Sequence, residues 1–258
     1  MKYIGLMSDT HGVPIPNEVR DFFQSVDEVW HCGDFFTRKH MNECRYIRMF
    51  QPYHFVRGNW DNDNPASKMF DQWPYILPEQ EFFECEGFNV ALMHKGFCFN
   101  QRKELCYYGG VKNDLVLNGT DLLVCGHQHR FFYGKDLVES SQHPILLNPG
   151  AVGPLYESTA SVVRFRVDKG QIRDFERLVW DCSEYKVYWE KEKEFSTVCF
   201  YLPGVRSTTK NFDCENRFKW VFEIRELVKY REPNFRIEQV ERTDYSMKPR
   251  LGVNFSID

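Results

Sequence analysis

The sequence predicts a fold of mixed helices and sheets, in which a mostly parallel β-sheet comes first and antiparallel strands follow. Two observations lead to this prediction. Over residues 1–60, short apolar runs alternate with helical patterns, as they do in parallel sheets. Beyond residue 80, apolar runs come in pairs separated by turn residues, as they do in hairpins.

The first part of the chain supplies the alternation. The helices begin where polar residues meet apolar spacing, with Asn17 as the expected N-cap of the first and Pro52 ending the second. In chain order we predict strand 2–8, helix 17–25, strand 28–32, helix 38–50 and strand 53–57.

The middle of the chain supplies the paired strands and one further helix. Gly119 is placed to end that helix, and Asp168 to Gly170 form the turn of the last hairpin. We predict strands 81–86 and 88–94, helix 101–118, and strands 122–126, 144–150, 161–167 and 171–180.

The sequence predicts two parts, a domain of residues 1–181 and a smaller C-terminal α+β extension of residues 182–258 packed on or beside it. The extension carries too many aromatic residues for a disordered segment. We predict a strand at 196–204, an amphipathic helix at 217–230, and late strands within 236–245 and 252–257.

Composition excludes several classes of protein. The 258 residues are 42% hydrophobic and 27% charged, which is ordinary for a globular protein, and they hold no membrane-length apolar run. The start of the chain reads as a first strand rather than a signal peptide. Nine scattered cysteines without a CxxC pair indicate reduced thiols and a cytoplasmic location. A net charge of −4 lacks the basic excess of a duplex-binding protein.

Seven polar residues each follow a predicted strand and have the chemistry of metal ligands. Carboxylate, amide and imidazole groups gathered at strand ends are what a pair of divalent cations needs. They are Asp9, His11, Asp34, Asn59, His94, His127 and His129. A carboxylate must bridge two such cations, and Asp34 is the candidate, since Gly33 lets the backbone pass close to the site.

Two cations held about 3.5–4 Å apart are suited to phosphoester hydrolysis. A water that bridges them loses a proton near neutral pH, and the resulting hydroxide attacks phosphorus in line. The sequence therefore predicts a dinuclear metal-dependent hydrolase.

The ordered patterns D-x-H, GD, GN, H and GHxH over about residues 1–175 resemble the calcineurin-like metallophosphoesterase superfamily. The NPG sequence of Asn148, Pro149 and Gly150 also resembles the small prokaryotic phosphodiesterase subgroup. The resemblance implies a four-layer α-β-β-α sandwich of two mixed sheets. It also implies two divalent metal ions, manganese or else iron, zinc or nickel.

The resemblance assigns the ligands between the two ions. Asp9, His11 and His129 would hold one metal, and Asp34 would bridge to the other. The remaining ligands to the second metal would be Asn59, His94 and His127. We expect Asp34, Asn59 and His94 to be the catalytic members.

The chain departs from its relatives at one position that bears on the reaction. Many members of the superfamily have a catalytic His after GN, where this chain has Trp60. Trp60 is either a rim aromatic or a stacking face for a nucleobase. The GDxxDRG motif of protein phosphatases and diadenosine-tetraphosphate hydrolases is absent from the sequence, which counts against both activities.

Four further residues have two interpretations each. His31 could orient Asp34 or simply pack at a strand end, and Arg57 could bind phosphate or form a structural ion pair. Asp61 could bond a ligand His or cap a turn, and Lys95 could contact phosphate or be a solvated loop residue.

The function that we favour is that of a phosphodiesterase. A phosphomonoesterase, a nuclease and a non-catalytic protein-binding scaffold on the same fold remain alternatives. The expected partner is a phosphoester substrate, with a nucleotide or nucleic acid possible and no membrane; the sequence leaves the oligomeric state open.

Overall fold

The computed structural model describes most of the first 181 residues and separate strands beyond them. The described residues are 1–11, 15–35, 52–59, 61, 77–99, 105–136, 144–153, 159–181, 187–192, 195–202, 205–207, 224–227, 234–240 and 243–245. The predicted helix 38–50, the predicted strand 252–257 and Trp60 lie outside them.

The first large sheet has six strands and begins the chain. Its members are β1 (Lys2–Met7), β2 (Glu28–His31), β3 (Tyr53–Phe55), β11 (Thr159–Asp168), β12 (Gln171–Asp181) and β17 (Arg236–Gln239). Their order is β17-β12-β11-β1-β2-β3. The strands β1, β2 and β3 are parallel neighbours, as the alternating pattern predicts, whereas β11, β12 and β17 are antiparallel.

The second large sheet also has six strands. Its members are β4 (Gln80–Cys85), β5 (Phe88–Met93), β8 (Leu122–Cys125), β9 (Phe131–Asp136), β10 (Ile145–Pro149) and β18 (Thr243–Tyr245). Their order is β18-β9-β10-β8-β5-β4. The predicted β4–β5 hairpin is confirmed, and β5, β8 and β10 are parallel.

Two smaller sheets complete the described strands. The pair β6 (Phe97–Phe99) and β7 (Leu105–Tyr107) forms one of them. The other has the order β13-β14-β15-β16, from β13 (Val187–Glu192), β14 (Phe195–Leu202), β15 (Val205–Ser207) and β16 (Ile224–Leu227).

The layers stack as helix, sheet, sheet and helix, which confirms the predicted sandwich. Alternating residues of each strand face opposite sides, so Leu6 and Val124 meet in the core between the sheets. On the outer side of the first sheet, α1 (Asn17–Phe22) packs Val19 against Met7. On the outer side of the second sheet, α2 (Val111–Leu117) packs Leu115.

Three of the predicted helices differ from the structure. Pro16, and not Asn17, occupies the N-cap of α1, and the helix ends at Phe22. The helix predicted at 101–118 begins only at Val111, because Gly110 with φ +79° interrupts it and Leu105–Tyr107 forms β7. Residues 224–227 of the predicted helix 217–230 form β16, because they pair with β15.

The C-terminal segment adds one edge strand to each large sheet. Strand β17 pairs antiparallel with β12, and β18 pairs parallel with β9. Phe235, just before β17, packs against Trp180 with 5.3 Å between ring centroids. The division into residues 1–181 and 182–258 stays a prediction.

Among the described residues, neither helix has the length and apolar character to cross a membrane.

Candidate metal centre

The seven predicted ligands come from the carboxyl ends of parallel strands in both large sheets. Strands β1, β2 and β3 lead to Asp9 and His11, to Asp34, and to Asn59. Strands β5 and β8 lead to His94, and to His127 and His129. Because carboxyl ends of parallel strands meet at one edge, the fold gathers all seven there.

Backbone strain is concentrated at these residues. Eight non-glycine residues among those described have positive φ, and five of the eight are predicted ligands. Their φ values are 51° at Asp9, 45° at His11, 62° at Asp34, 67° at His127 and 55° at His129. Such conformations cost about 1–3 kcal/mol each and persist where function requires them.

Glycines allow the loops to cross within contact distance of the carboxylates. A Cβ on Gly33 would lie 2.5 Å from the Gly58 nitrogen, which confirms the close approach predicted for Gly33. A Cβ on Gly58 would lie 1.9 Å from Asp34 Oδ1. At Gly126 a Cβ would lie 2.6 Å from Asp9 Oδ2. The backbone at these points has room for hydrogen only.

One group of donors is formed by Asp9, His11 and His129, whose ligand atoms lie within 4.8 Å of one another. His129 Nε2 lies 3.2 Å from Asp9 Oδ1, and His11 Nε2 lies 3.2 Å from His129 Nε2. All three side chains are buried. These are the three residues that the resemblance assigns to a single metal.

A second group contains Asp9, Asp34 and His94, again within 4.8 Å. His94 Nε2 lies 3.2 Å from Asp34 Oδ2 and 3.0 Å from Asn59 Oδ1. The ring of His127 stands edge-on to that of His94, with 5.1 Å between centroids. The second group thus adjoins the first through Asp9.

Asp34 lies between the two groups. Its Oδ2 atom is 3.8 Å from His11 Nε2 and 3.2 Å from His94 Nε2. Asp9 Oδ1 is similarly central, at 3.8 Å from His11 Nε2 and 4.0 Å from His94 Nε2. Both carboxylates are therefore placed to contact cations on either side.

The two oxygens of Asp9 have different surroundings, and the difference fits a metal ligand. Oδ2 accepts hydrogen bonds from Ser8 Oγ at 2.5 Å and from the His127 nitrogen at 2.9 Å. Oδ1 is buried and accepts no well-formed hydrogen bond from any residue that the structure describes. A buried oxygen without a donor is costly, and a bound cation would satisfy it.

Electrostatics in the cluster favour positive charge. Burial alone would raise the pKa of Asp9, but His129, His94 and His11 outweigh it and lower that pKa below its ordinary value. Burial alone would lower the pKa of His94, yet Asp34 and Asp9 raise it to about 9. The buried carboxylates thus attract a cation to the position that His94 Nε2 faces.

His11 and His127 are in the neutral form that ligates metals. Burial lowers the pKa of His11 to about 4. Burial, reinforced by the charge of His94, lowers the pKa of His127 to about 4 as well. Since a metal ligand must offer a lone pair, both imidazoles are prepared for that role at neutral pH.

The His94 ring is oriented by the backbone of the β2 loop. Its Nδ1 atom donates to the carbonyl oxygen of Cys32 at 2.7 Å. In the neutral ring, Nε2 then presents its lone pair towards Asp34 and Asn59. The contact ties the orientation of one predicted ligand to the loop that carries another.

Asp61 holds the loops after β2 and β3 together. Its carboxylate accepts hydrogen bonds from the backbone nitrogens of Asp34 at 2.9 Å, Phe35 at 2.9 Å and Gly58 at 2.8 Å. Sequence alone suggested a contact to a ligand His or a turn cap. The structure shows a carboxylate that fixes the loop bearing Asp34 and that also accepts from the Gly58 nitrogen within its own turn.

His31 also supports this loop. Its Nδ1 atom accepts from the Gly33 nitrogen at 3.0 Å, and its ring stacks on Phe35 with 3.8 Å between centroids. Its Nε2 lies 3.3 Å from Thr10 Oγ1, which donates to the Asp34 carbonyl oxygen at 3.4 Å. These contacts position the Asp34 backbone and also pack the strand end, so both expectations for His31 have support.

The two basic residues considered for phosphate binding, Arg57 and Lys95, have different surroundings. Arg57 forms an ion pair with Glu79, in agreement with a structural role. The side chain of Lys95 is exposed, as a solvated loop residue would be.

Sequence reasoning missed two supporting residues. Ser8 donates to Asp9, and nothing but its adjacency in the chain could have indicated that contact. Asn148, buried in the NPG sequence, donates to the Gly126 carbonyl oxygen at 2.7 Å and accepts from the Gly150 nitrogen at 2.9 Å. It thereby holds the loop that leads to His127.

Comparisons with known proteins agree with this geometry. Residues 1–170 match the family model described as the calcineurin-like phosphoesterase superfamily domain. A probable metallophosphoesterase of Methanothermobacter thermautotrophicus is 30% identical over 171 residues, covering 64% of this chain and 86% of the relative. A probable metallophosphoesterase of Methanocaldococcus jannaschii is 27% identical over 156 residues, covering 57% and 67%.

The chain is also similar, more distantly, to solved structures. Vacuolar protein sorting 29 from Cryptosporidium parvum has 18% identity and a TM-score of 0.49, over 77% of this chain and 96% of its own. A structure described as a novel archaeal phosphodiesterase has 19% identity and a TM-score of 0.45, over 66% and 97%.

Proposed function

The chain belongs to the calcineurin-like phosphoesterase superfamily, and from this premise we propose that it is a dinuclear metal-dependent phosphodiesterase. The observation that carries the proposal is the convergence of all seven predicted ligands in one cluster with two adjoining donor groups. A protein that used this fold only as a scaffold would have no need to keep two carboxylates buried together, since that arrangement requires compensating positive charge.

The donor set specifies how two ions would be held. Asp9, His11 and His129 would hold one of them, and Asn59, His94 and His127 the other. Asp34 would bridge the two, because its Oδ2 atom faces both His11 and His94. The mixture of oxygen and imidazole ligands fits divalent first-row metals. The family resemblance makes manganese the first candidate, with iron, zinc and nickel as alternatives.

Two bound divalent cations would lower the pKa of a water molecule and neutralise charge that develops on the phosphoryl oxygens. The residues of the chain would hold the two ions and the reacting phosphate in position. Asp34, Asn59 and His94 lie together at the junction of the groups, where the reacting phosphate must sit. Asp61 and Asn148 bond the loops around the centre and limit their movement. The donors therefore stay close together.

Preference for diesters rests on the sequence around the centre. The His that follows GN in many relatives is replaced by Trp60, so leaving-group protonation by that His is unavailable to this chain. Diester substrates with good leaving groups need such protonation least. The missing GDxxDRG motif argues in addition against phosphoprotein substrates.

A substrate panel tests the proposal. Purified protein would be assayed with bis-p-nitrophenyl phosphate, p-nitrophenyl phosphate and single-stranded DNA and RNA across a series of divalent metals. We expect the small diester to turn over fastest with manganese, and Asp34→Asn to abolish the activity. Faster hydrolysis of the monoester would overturn the diester assignment. Faster cleavage of DNA or RNA, which are also phosphodiesters, would replace the small-diester phosphodiesterase by the nuclease alternative.

A control variant helps to distinguish a protein of low activity from a protein without activity. Asp21→Asn changes an exposed carboxylate on α1 and leaves the centre untouched, so its turnover should equal that of the wild type. If no substrate were hydrolysed by either protein at any metal concentration, the hydrolase proposal would fail and the scaffold alternative would replace it.

We propose a cytoplasmic location on the basis of the thiols. The five cysteines among the described residues are present as thiols, and three of them are buried within the sandwich. Reduced cysteines are the usual state in the cytosol. Localisation of a tagged full-length chain by fractionation would test this placement, and recovery from an oxidising compartment would contradict it.

A further inference from the structure

Two cysteines face each other across the small β6–β7 sheet. The strands pair antiparallel with Cys98 directly opposite Cys106. The Tyr108 nitrogen donates to the Gly96 carbonyl oxygen at 3.3 Å, so Gly96 and Tyr108 occupy a hydrogen-bonded position. Such positions alternate along an antiparallel pair, and Cys98 and Cys106 therefore occupy the next one.

The Cα separation expected at that position lies within the range of a disulfide. Cα atoms of a hydrogen-bonded antiparallel pair lie about 5.5 Å apart. Disulfides span Cα distances of about 4.4–6.8 Å. The Cβ atoms of opposite residues lie about 4.5–5.5 Å apart, whereas those of a disulfide lie about 3.5–4.5 Å apart, so the two strands must also draw closer by about 1 Å. The bond can form without a change in strand register.

The two thiols are also more accessible than the other described cysteines. Cys98 and Cys106 are both partly exposed, whereas Cys32, Cys85 and Cys125 have 0%, 2% and 0% of their surface exposed. Burial raises the pKa of Cys85 and of Cys125 to about 12, and it raises the pKa of Cys98 as well, so exposure rather than acidity distinguishes the pair. Reaction with a small oxidant should therefore favour the β6–β7 pair.

The pair is linked to the candidate metal centre through Tyr108. Residues two apart on a strand share a face, so Tyr108 lies on the same face as Cys106. Its hydroxyl is hydrogen-bonded to Cys98 and accepts from Gln128 Nε2 at 2.9 Å. Its ring stands edge-on to that of His127, with 5.5 Å between centroids. Cys98 is thus one residue removed from a predicted ligand.

We propose that Cys98 and Cys106 are a redox modification site, at which a low-molecular-weight disulfide converts the two thiols into a reversible intramolecular disulfide. The thiolate of one cysteine attacks a sulfur of the small disulfide, forming a mixed disulfide and releasing one small thiolate. The second cysteine then attacks the protein sulfur of the mixed disulfide and expels the other small thiolate. The protein loses two electrons and two protons, and the small disulfide gains them as two thiols.

Oxidation also changes the surroundings of His127. A sulfur held in the Cys98–Cys106 bond must rotate towards Cys106, and it leaves its place against the Tyr108 hydroxyl. Tyr108 then loses one of the contacts that hold its ring against His127. The modification therefore acts on the candidate centre, and this second step rests on the proposed function.

Peptide mapping tests the disulfide without any activity measurement. The full-length protein would be incubated with oxidised glutathione, its remaining thiols alkylated, and the protein digested with trypsin under non-reducing conditions. Cleavage at Lys95, Arg102, Lys103 and Lys112 places Cys98 in peptide 96–102 and Cys106 in peptide 104–112. We expect these two peptides to be recovered as one cross-linked species that dithiothreitol separates.

The buried cysteines serve as internal controls. At a glutathione ratio that links the two peptides, Cys32, Cys85 and Cys125 should remain unmodified, because they are buried. Recovery of Cys98 and Cys106 as free thiols, or capped separately by glutathione under strongly oxidising conditions, would overturn the proposal. Equal modification of the buried cysteines would do so too, since it would indicate unfolding rather than a selective site.

Turnover of bis-p-nitrophenyl phosphate tests the coupling to His127. Oxidised wild-type protein should hydrolyse the diester several-fold more slowly, and dithiothreitol should restore the rate. The double variant Cys98→Ser/Cys106→Ser has neither thiol and should show no such loss. A cross-linked protein with unchanged turnover would contradict the coupling. Absence of turnover in the reduced protein would instead count against the proposed function, and the peptide map would still decide the disulfide.

Discussion

At the scale of single residues, Asp9 illustrates how the chain prepares a ligand. One of its oxygens is held by Ser8 and the His127 backbone, and the other is aimed at two imidazoles in a buried cluster. The backbone of Asp9 is itself strained, with φ at 51°. Supporting hydrogen bonds and local strain together fix a carboxylate that would otherwise turn towards water.

Ser8→Ala removes one of the two hydrogen bonds to Asp9 Oδ2. Because residues that orient a metal ligand typically contribute about 10–100-fold to metal affinity, we expect manganese to bind at least about tenfold more weakly. Titration calorimetry would measure the change. Ser25→Ala, at an exposed position after α1, is the matched control. Wild-type affinity in the Ser8 variant would show that Asp9 does not depend on this contact.

Asp61→Asn tests the residue that joins the β2 and β3 loops. An amide offers one acceptor oxygen and one donor nitrogen, so it cannot accept from three backbone nitrogens as the carboxylate does. We expect the free energy of unfolding to fall by about 1–3 kcal/mol in urea titrations. Asp21→Asn, an exposed change on α1, should have little effect. Equal stability of the two variants would contradict the role given to Asp61.

At the scale of secondary-structure elements, parallel strands decide where the site lies. Sequence periodicity predicted β1, β2, β3, β5 and β8, and residues at their carboxyl ends could therefore be expected to meet. The helix at 101–118 was wrong over residues 105–107, since pairing with β6 overrides a helical pattern. Likewise β16 forms where a helix was predicted, because strand partners distant in sequence leave no local signal.

Gly58→Ala tests the crossing of the loops after β2 and β3. The new Cβ would lie 1.9 Å from Asp34 Oδ1, so either the carboxylate or the β3 loop must move. We expect a loss of about 1–3 kcal/mol in the free energy of unfolding, together with weaker metal binding. Gly109→Ala is the control, because nothing lies within 4 Å of a Cβ there. If both variants behaved like the wild type, the loops would be looser than described.

At the scale of the whole molecule, the C-terminal segment contributes one edge strand to each of the two large sheets. Strand β17 pairs Ile237 with Leu178, and Arg177 forms an ion pair with Glu238. Sequence could predict strands here but not their partners, because no turn or short connection links them to β12 or β9.

A chain that ends at Asp181 tests the predicted domain boundary. It should fold, because the described sandwich core lies within residues 1–181, yet it should unfold at a lower urea concentration than the full chain. The loss of β17 exposes the edge of β12 and uncovers Trp180 from Phe235. Circular dichroism during urea titration would measure the difference. Failure to fold would place the domain boundary elsewhere.

The candidate centre was the most predictable part of the molecule. Its seven side chains could be named from the ordered motifs and the family that they resemble, and the structure gathers them at one edge of the sheets; their role as ligands stays a prediction. The supporting contacts of Asn148 and Asp61 could not be predicted in that way, because they join loops that are far apart in sequence. Ser8 contacts its neighbour Asp9, but its residue type and position carry no signal of that contact. Residue type predicts a ligand, whereas tertiary contacts determine what holds it in place.

The central claim is that the cluster binds two divalent cations bridged by Asp34. Elemental analysis of full-length protein, loaded with manganese and freed of unbound metal, tests it most directly. We expect two ions per chain in the wild type and one or fewer in Asp34→Asn. A wild-type protein that holds less than one ion, or an Asp34 variant that keeps both, would contradict the claim.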